Sequence, residues 1–128
     1  MFHGYTYSAH PLACAAGLAT LGVYEDEKLF DNARRLESVF ADAVHGLKGL
    51  PNVTDIRTIG LAGAIDLAPV ADGAGKRGFA AMDDTFHRQD ALIRFAGDTL
   101  VLCPPLIVTE SQIGEIVEKV GRSIRAVA

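Results

Sequence analysis

The stretch ALIRFAGDTLVLCPP, residues 91–105, decides how the rest of the chain is read. In an extended segment Leu92, Arg94 and Ala96 share one face, while Ala91, Ile93 and Phe95 share the other. Gly97-Asp98 is a turn signal, after which Thr99, Leu100, Val101 and Leu102 resume a strand pattern. Two short strands, residues 91–95 and 99–102, are therefore expected about a tight turn, and Pro104-Pro105 stops the second.

Working outward, IRTIGLAGAIDLAP (residues 56–69) has the same character. Strands at residues 53–59 and 62–68, joined through Gly60, form a second hairpin-like unit, and the Gly49-Leu50-Pro51-Asn52 cluster separates it from what precedes. Helical spacing fills the remainder. Residues 27–47 place Leu29, Phe30, Ala33, Leu36, Val39, Phe40, Ala43, Val44 and Leu47 at intervals of three and four, an amphipathic helix. Residues 76–89 form a helix with Phe79, Met82 and Phe86 on one face. At the end of the chain, Thr109-Glu110-Ser111-Gln112 fits a capping box, followed by the stripe Ile113, Ile116, Val117, Val120 and Ile124.

One helix is unlike the others. Pro11 suits the first helical position and disfavours a helical His10, so a helix should start there and run over residues 11–24. It is apolar almost all round, and so needs covering on several sides. A chain of 128 residues has little with which to cover it at its own N-terminus. The element order is α-α-β-β-α-β-β-α, an α/β (α+β) arrangement of layered helices on a short, mostly antiparallel sheet.

Composition narrows the function classes. Apolar residues make up 49% of the chain and charged residues 22%, which supports one packed domain. The formal charge of -4, with 12 basic against 16 acidic residues and no basic block, argues against a nucleic-acid surface. No apolar run is long enough to span a membrane, the start lacks the features of a signal peptide, and a cytoplasmic protein is expected. Cys14 and Cys103 are too few and too far apart for a disulfide framework and are expected to be buried thiols.

Five local patterns bear on possible chemistry. Gly73-Ala74-Gly75-Lys76-Arg77-Gly78 matches G-x-G-x-x-G before a helix, but Pro69, Val70, Ala71 and Asp72 separate it from the strand and no βαβ crossover precedes it, so a solvated loop is the better account. His3, His10 and Cys14 do not supply the converging ligands of a metal site, and none is expected. His45 and His87 lie near helix C-termini, where the dipole accommodates them. Arg94, a lone guanidinium in an apolar strand, suits a carboxylate or phosphate. It could equally be an edge-strand charge or pair with Asp98. In the opening loop, Thr6, Tyr7 and Ser8 offer hydroxyls beside a helix start, a setting for an anion, unless Ser8 simply caps the helix.

FHGYTYSAHPLACAAGLATL (residues 2–21), IRTIGLAGAIDLAP and IRFAGDTLVLCPPLIVT (residues 93–109) together resemble the C-terminal part of class III aminotransferases, pyridoxal-phosphate enzymes of the aspartate-aminotransferase fold (fold type I). The S-A-H-P ending at Pro11 is most similar to the omega-amino-acid:pyruvate branch, including beta-alanine:pyruvate transaminase. The resemblance implies that Thr6, with the Tyr5 backbone beside it, binds the phosphate of pyridoxal 5'-phosphate in the neighbouring subunit of a homodimer, and that Arg94 binds the substrate carboxylate. It also implies that the Schiff-base lysine lies upstream, since Lys28, Lys48, Lys76 and Lys119 do not match its position. Residues 1–24 would then be a stub of the large cofactor-binding domain and residues 25–128 the small domain, inactive alone. The competing expectation is a non-catalytic interaction or small-molecule-binding module derived from that domain.

Overall fold

The computed structural model describes residues 4–71 and 73–128. Its elements follow the expected order: α1 (Pro11–Asp26), α2 (Leu29–His45), β1 (Val53–Ile59), β2 (Ala62–Leu67), α3 (Lys76–Gln89), β3 (Arg94–Ala96), β4 (Thr99–Leu102) and α4 (Glu110–Ala126). The main departure is β3, which keeps only three residues. Residues 91–93 lie outside the ladder, which ends at Arg94 opposite Val101, and the Ala91 N–H instead donates to the Thr85 carbonyl toward the end of α3.

The four strands form one antiparallel sheet in the order β1-β2-β4-β3. Each of the two expected hairpins is therefore a neighbouring pair, and the link between them is made by β2 and β4. One face of the sheet is covered. Gly63, Ile65, Leu67, Leu100 and Leu102 point into a core completed by Leu36, Phe40 and Val44 of α2 and by Ile113, Val117, Val120 and Ile124 of α4. These are the apolar stripes that the three- and four-residue spacings marked. The capping box starts α4 as expected: the Gln112 N–H donates to Thr109 Oγ1, and the Thr109 N–H donates to Gln112 Oε1 at 2.9 Å.

α3 packs by a different face from the aromatic one. Its buried residues are Gly78, Ala81, Asp84 and Thr85, whereas Phe79 and Phe86 are exposed and Met82 is half-buried. Small residues let the helix lie close to its neighbours, so the larger ring side chains turn outward, where Phe79 stacks edge-on against Phe95.

α1 buries none of its residues; Leu12 is 77% and Leu18 72% exposed. Among the helices and strands it makes its main contacts with α2, helped by an edge-on Tyr24–Phe30 pair. The all-round apolar helix is thus present and uncovered within this chain. Both cysteines are also exposed, which corrects the expectation of buried thiols. Cys14 shares the exposure of α1, and Cys103 lies just beyond the last buried strand residue, Leu102, where the chain leaves the sheet toward Pro104.

Candidate functional site

Arg94 is the first residue of β3, at the sheet's edge, exposed on the strand face opposite the buried Ile93. Leu92 and Ala96 share its exposure, while Ile93 is buried and Phe95 half-buried, as the alternation required. The cross-strand register continues this face as a row: Arg94 pairs with Val101, Val101 with Ala64, and Ala64 with Arg57. The next row runs Asp55, Asp66, Thr99 and Ala96.

The two arginines at the ends of that row differ in their partners. Arg57 forks onto Asp66, with Nη1–Oδ2 at 2.6 Å and Nη2–Oδ1 at 3.1 Å, and also reaches Asp55 Oδ2 at 2.9 Å. Hydrogen bonds from Arg57 and then from Thr99 Oγ1, the latter at 2.7 Å, hold the Asp66 carboxyl below its ordinary range. Arg94, among the described residues, has no hydrogen bond or ion pair. It borders a groove of about 700 Å³ whose other walls include Leu92, Val101, Cys103, Ile107 and Ile116. The lining also carries Asp90, Gln112, Glu115 and Lys119, and Glu115 is taken by Lys119 at 2.7 Å. A guanidinium that pairs with neither carboxylate can recognise one brought by a small molecule.

The salt bridge from Arg94 to Asp98, one of the open alternatives, is not formed. Asp98 is engaged elsewhere: Oδ2 accepts the Gly75 N–H at 2.6 Å and Oδ1 accepts the Gly78 N–H at 3.0 Å. These two bonds, that from Gly75 foremost, hold the Asp98 carboxyl below its ordinary range. The G-x-G-x-x-G pattern finds its explanation here. An acidic group does sit at this helix N-terminus, and it is the chain's own Asp98. Sequence reasoning missed this role; the available signal was a helix start at Gly75, which has no side chain with which to cap itself.

The opening loop is exposed throughout its described residues, 4–10. Tyr5 and Ala9 adopt left-handed backbone conformations at φ +66° and +59°, and the Ser8 N–H donates to the Tyr5 carbonyl, as does that of His10 to Tyr7. His10 is the N-cap of α1 and makes no side-chain capping bond, so the alternative in which Ser8 caps the helix is not realised. Thr6 is exposed four residues before the His10 N-cap, and its hydroxyl makes no hydrogen bond among the described residues. That donor set fits a phosphate. His3 lies outside the described residues, as does Asp72; among the described residues no three His, Cys, Asp or Glu side chains converge. Arg94 and Thr6 are carried by different elements, the edge of the sheet and the loop before the uncovered helix.

Known proteins resemble this chain over nearly its whole length. The family model of aminotransferase class-III matches residues 1–124. The omega-aminotransferase of Caulobacter vibrioides is 44% identical over 122 residues, covering 95% of this chain and 28% of the relative. The beta-alanine–pyruvate aminotransferase of Pseudomonas aeruginosa is 40% identical over 126 residues, covering 98% and 28%. A thermostable 6-fold mutant omega transaminase from Pseudomonas jessenii superposes with a TM-score of 0.90 at 30% identity, covering 100% of this chain and 30% of that one. The fold implied by the resemblance is the one observed, and the chain spans little more than a quarter of the length of the curated relatives it matches, 28% in both cases. No described helix is long and apolar enough to cross a membrane. Matched over nearly its whole length, the chain belongs to the class-III aminotransferases.

Proposed function

We propose that these 128 residues are the C-terminal part of a cytoplasmic, homodimeric aminotransferase that moves an amino group from an omega-amino acid or amine, such as beta-alanine, to pyruvate. The observation that carries this reading is Arg94: an exposed guanidinium without an ion pair among the described residues, on the rim of a groove. Donor and acceptor in this reaction both bring a carboxylate when the donor is an amino acid, and a planar fork is suited to each.

In this proposal Thr6, with the Tyr5 backbone, holds the phosphate of pyridoxal 5'-phosphate in the active site of the partner subunit. The cofactor, when bound, supplies the electron sink for the transfer. α1 is covered by the large domain, to which residues 1–24 belong, while residues 25–128 form the small domain. The chain alone is inactive, because the lysine that bonds the cofactor is not among its own four.

The test is Arg94→Ala in the full-length subunit that carries this segment. The KM for pyruvate should rise by about tenfold or more, and the KM for an amine donor lacking a carboxylate should change far less. Equal losses for both remove Arg94 from the substrate role. For the isolated chain, added pyridoxal phosphate should leave no borohydride-trapped adduct on any one lysine; a single specific adduct overturns the claim of inactivity.

The alternative, a non-catalytic binding module, draws support from one feature. The core of α2, α4 and the sheet closes without α1. A chain that unfolds cooperatively as a monomer favours that reading.

A further inference from the structure

β3 is a three-residue edge strand with a single ladder, to β4. On its own such a hairpin would leave the position of Arg94 poorly determined. The β3–β4 turn is, however, anchored at its tip in three ways. Gly75, the N-cap of α3, lies at φ +85° and offers no side-chain cap; Asp98 provides one from 23 residues along the chain, through both carboxylate oxygens. Gly78, in the first turn of α3, lies directly on the turn: a Cβ there would stand 2.9 Å from Asp98 Cα and collide with the Gly97 carbonyl oxygen. The Asp98 carbonyl in turn accepts the Leu67 N–H at 2.9 Å, which ties the same residue to β2. Asp98 thus joins the helix, the hairpin and the central sheet, four residues from Arg94.

We propose that Asp98 is the positioning residue for Arg94: its two-oxygen clamp on the N-terminus of α3 fixes the β3–β4 hairpin and so sets where the guanidinium stands at the rim of the groove. This rests on reading Arg94 as the carboxylate-binding group. The backbone under Arg94 is held while its side chain has no ion pair among the described residues, so the guanidinium has a fixed base from which to meet a ligand.

The experiment uses Asp98→Ala and Asp98→Asn in the full-length subunit that carries this segment, alone and combined with Arg94→Ala. Asp98→Ala should raise the KM for pyruvate about fivefold to tenfold with a much smaller change in kcat. The KM for a donor without a carboxylate should move severalfold less. Asp98→Asn, which keeps one acceptor oxygen, should fall between wild type and Asp98→Ala. On the Arg94→Ala background, Asp98→Ala should add no further pyruvate-specific loss, because the group it positions is gone. Additive losses in the double variant, or equal losses for both substrates from Asp98→Ala, overturn the proposal. If Arg94→Ala alone affects both substrates equally, the reading of Arg94 fails and this proposal falls with it, a result distinguishable from failure of Asp98 alone. Should Asp98→Ala not fold, Asp98→Asn is read kinetically in the same way, together with amide exchange: residues 94–96 should exchange about tenfold faster than in wild type, and unchanged protection overturns the clamp.

Discussion

Arg57 and Arg94 stand at opposite ends of one cross-strand row, with only Ala64 and Val101 between them, and they are not equivalent: Arg57 is held by Asp66 and Asp55, and Arg94 by no ion pair among the described residues. Two identical side chains on the same open face differ because the row beneath Arg57 supplies carboxylates, whereas the corresponding position beside Arg94 is Ala96. Their consequences for the folded chain should differ in the same sense. Arg94→Ala is expected to leave the midpoint of thermal unfolding within about 2 °C of wild type, as for an exposed residue without partners. A markedly lower midpoint would mark Arg94 as structural.

Gly78 should be intolerant of even a methyl group. Gly78→Ala drives a Cβ against the backbone of Gly97 and Asp98, neither of which can yield as a side-chain tip would. A loss of about 2–3 kcal/mol in urea unfolding is expected. Gly114→Ala in α4 is the control. Nothing lies within 4 Å of its added Cβ, and the substitution should stabilise the helix by about 0.5–1 kcal/mol. Similar effects at the two positions would contradict the close contact.

Acid should loosen the fold in a defined window. The Asp98 carboxyl is held below its ordinary value of 3.8, chiefly by the Gly75 N–H and then by that of Gly78. A group whose pKa is lowered by folding contributes its full stability above the unfolded value and loses it as the pH falls through the folded one. Stability that depends on Asp98 should therefore hold from neutrality down to about pH 4 and decline below it. Asp98→Asn should flatten that decline, leaving the part due to Asp66, whose carboxyl is lowered in the same sense by Arg57 and Thr99. An unchanged slope in chemical unfolding between about pH 2 and pH 5 would remove the clamp as its source.

Apolar residues should divide sharply by element. Phe40, fully buried beneath the sheet, should cost about 3–5 kcal/mol on replacement by Ala. Leu12→Ser and Leu18→Ser in α1 should change the stability of the 128-residue chain by less than about 0.5 kcal/mol, since neither side chain is covered. In the full-length subunit the same serines should be clearly destabilising, if the large domain covers that helix.

Much of the architecture was legible in local chemistry. The three- and four-residue spacings of Leu36, Phe40 and Val44 marked the buried face of α2, and Thr109 with Gln112 marked the start of α4 to the residue. These signals are local, and the structure had no reason to override them. The α3 pattern misled for a physical reason: periodicity identifies a helical face but not which face packs. Close approach to the Gly97-Asp98 turn selected Gly78 and Ala81 over the larger Phe79 and Phe86. Cys14 and Cys103 failed as buried thiols for a related reason, because an apolar neighbourhood in the sequence does not ensure a cover in space.

By itself the sequence determined the elements, their order, the apolar stripes of α2 and α4, and the two residues with a chemistry worth testing, Thr6 and Arg94. Only the tertiary structure decided what those residues have around them. Pairing β2 with β4 placed Arg57 and Arg94 on one row, and packing α3 against the β3–β4 turn took Asp98 away from Arg94 and gave it to two backbone N–H groups. Strand register and helix docking depend on contacts between segments far apart in the chain, and no local pattern encodes which of two nearby partners a carboxylate will take.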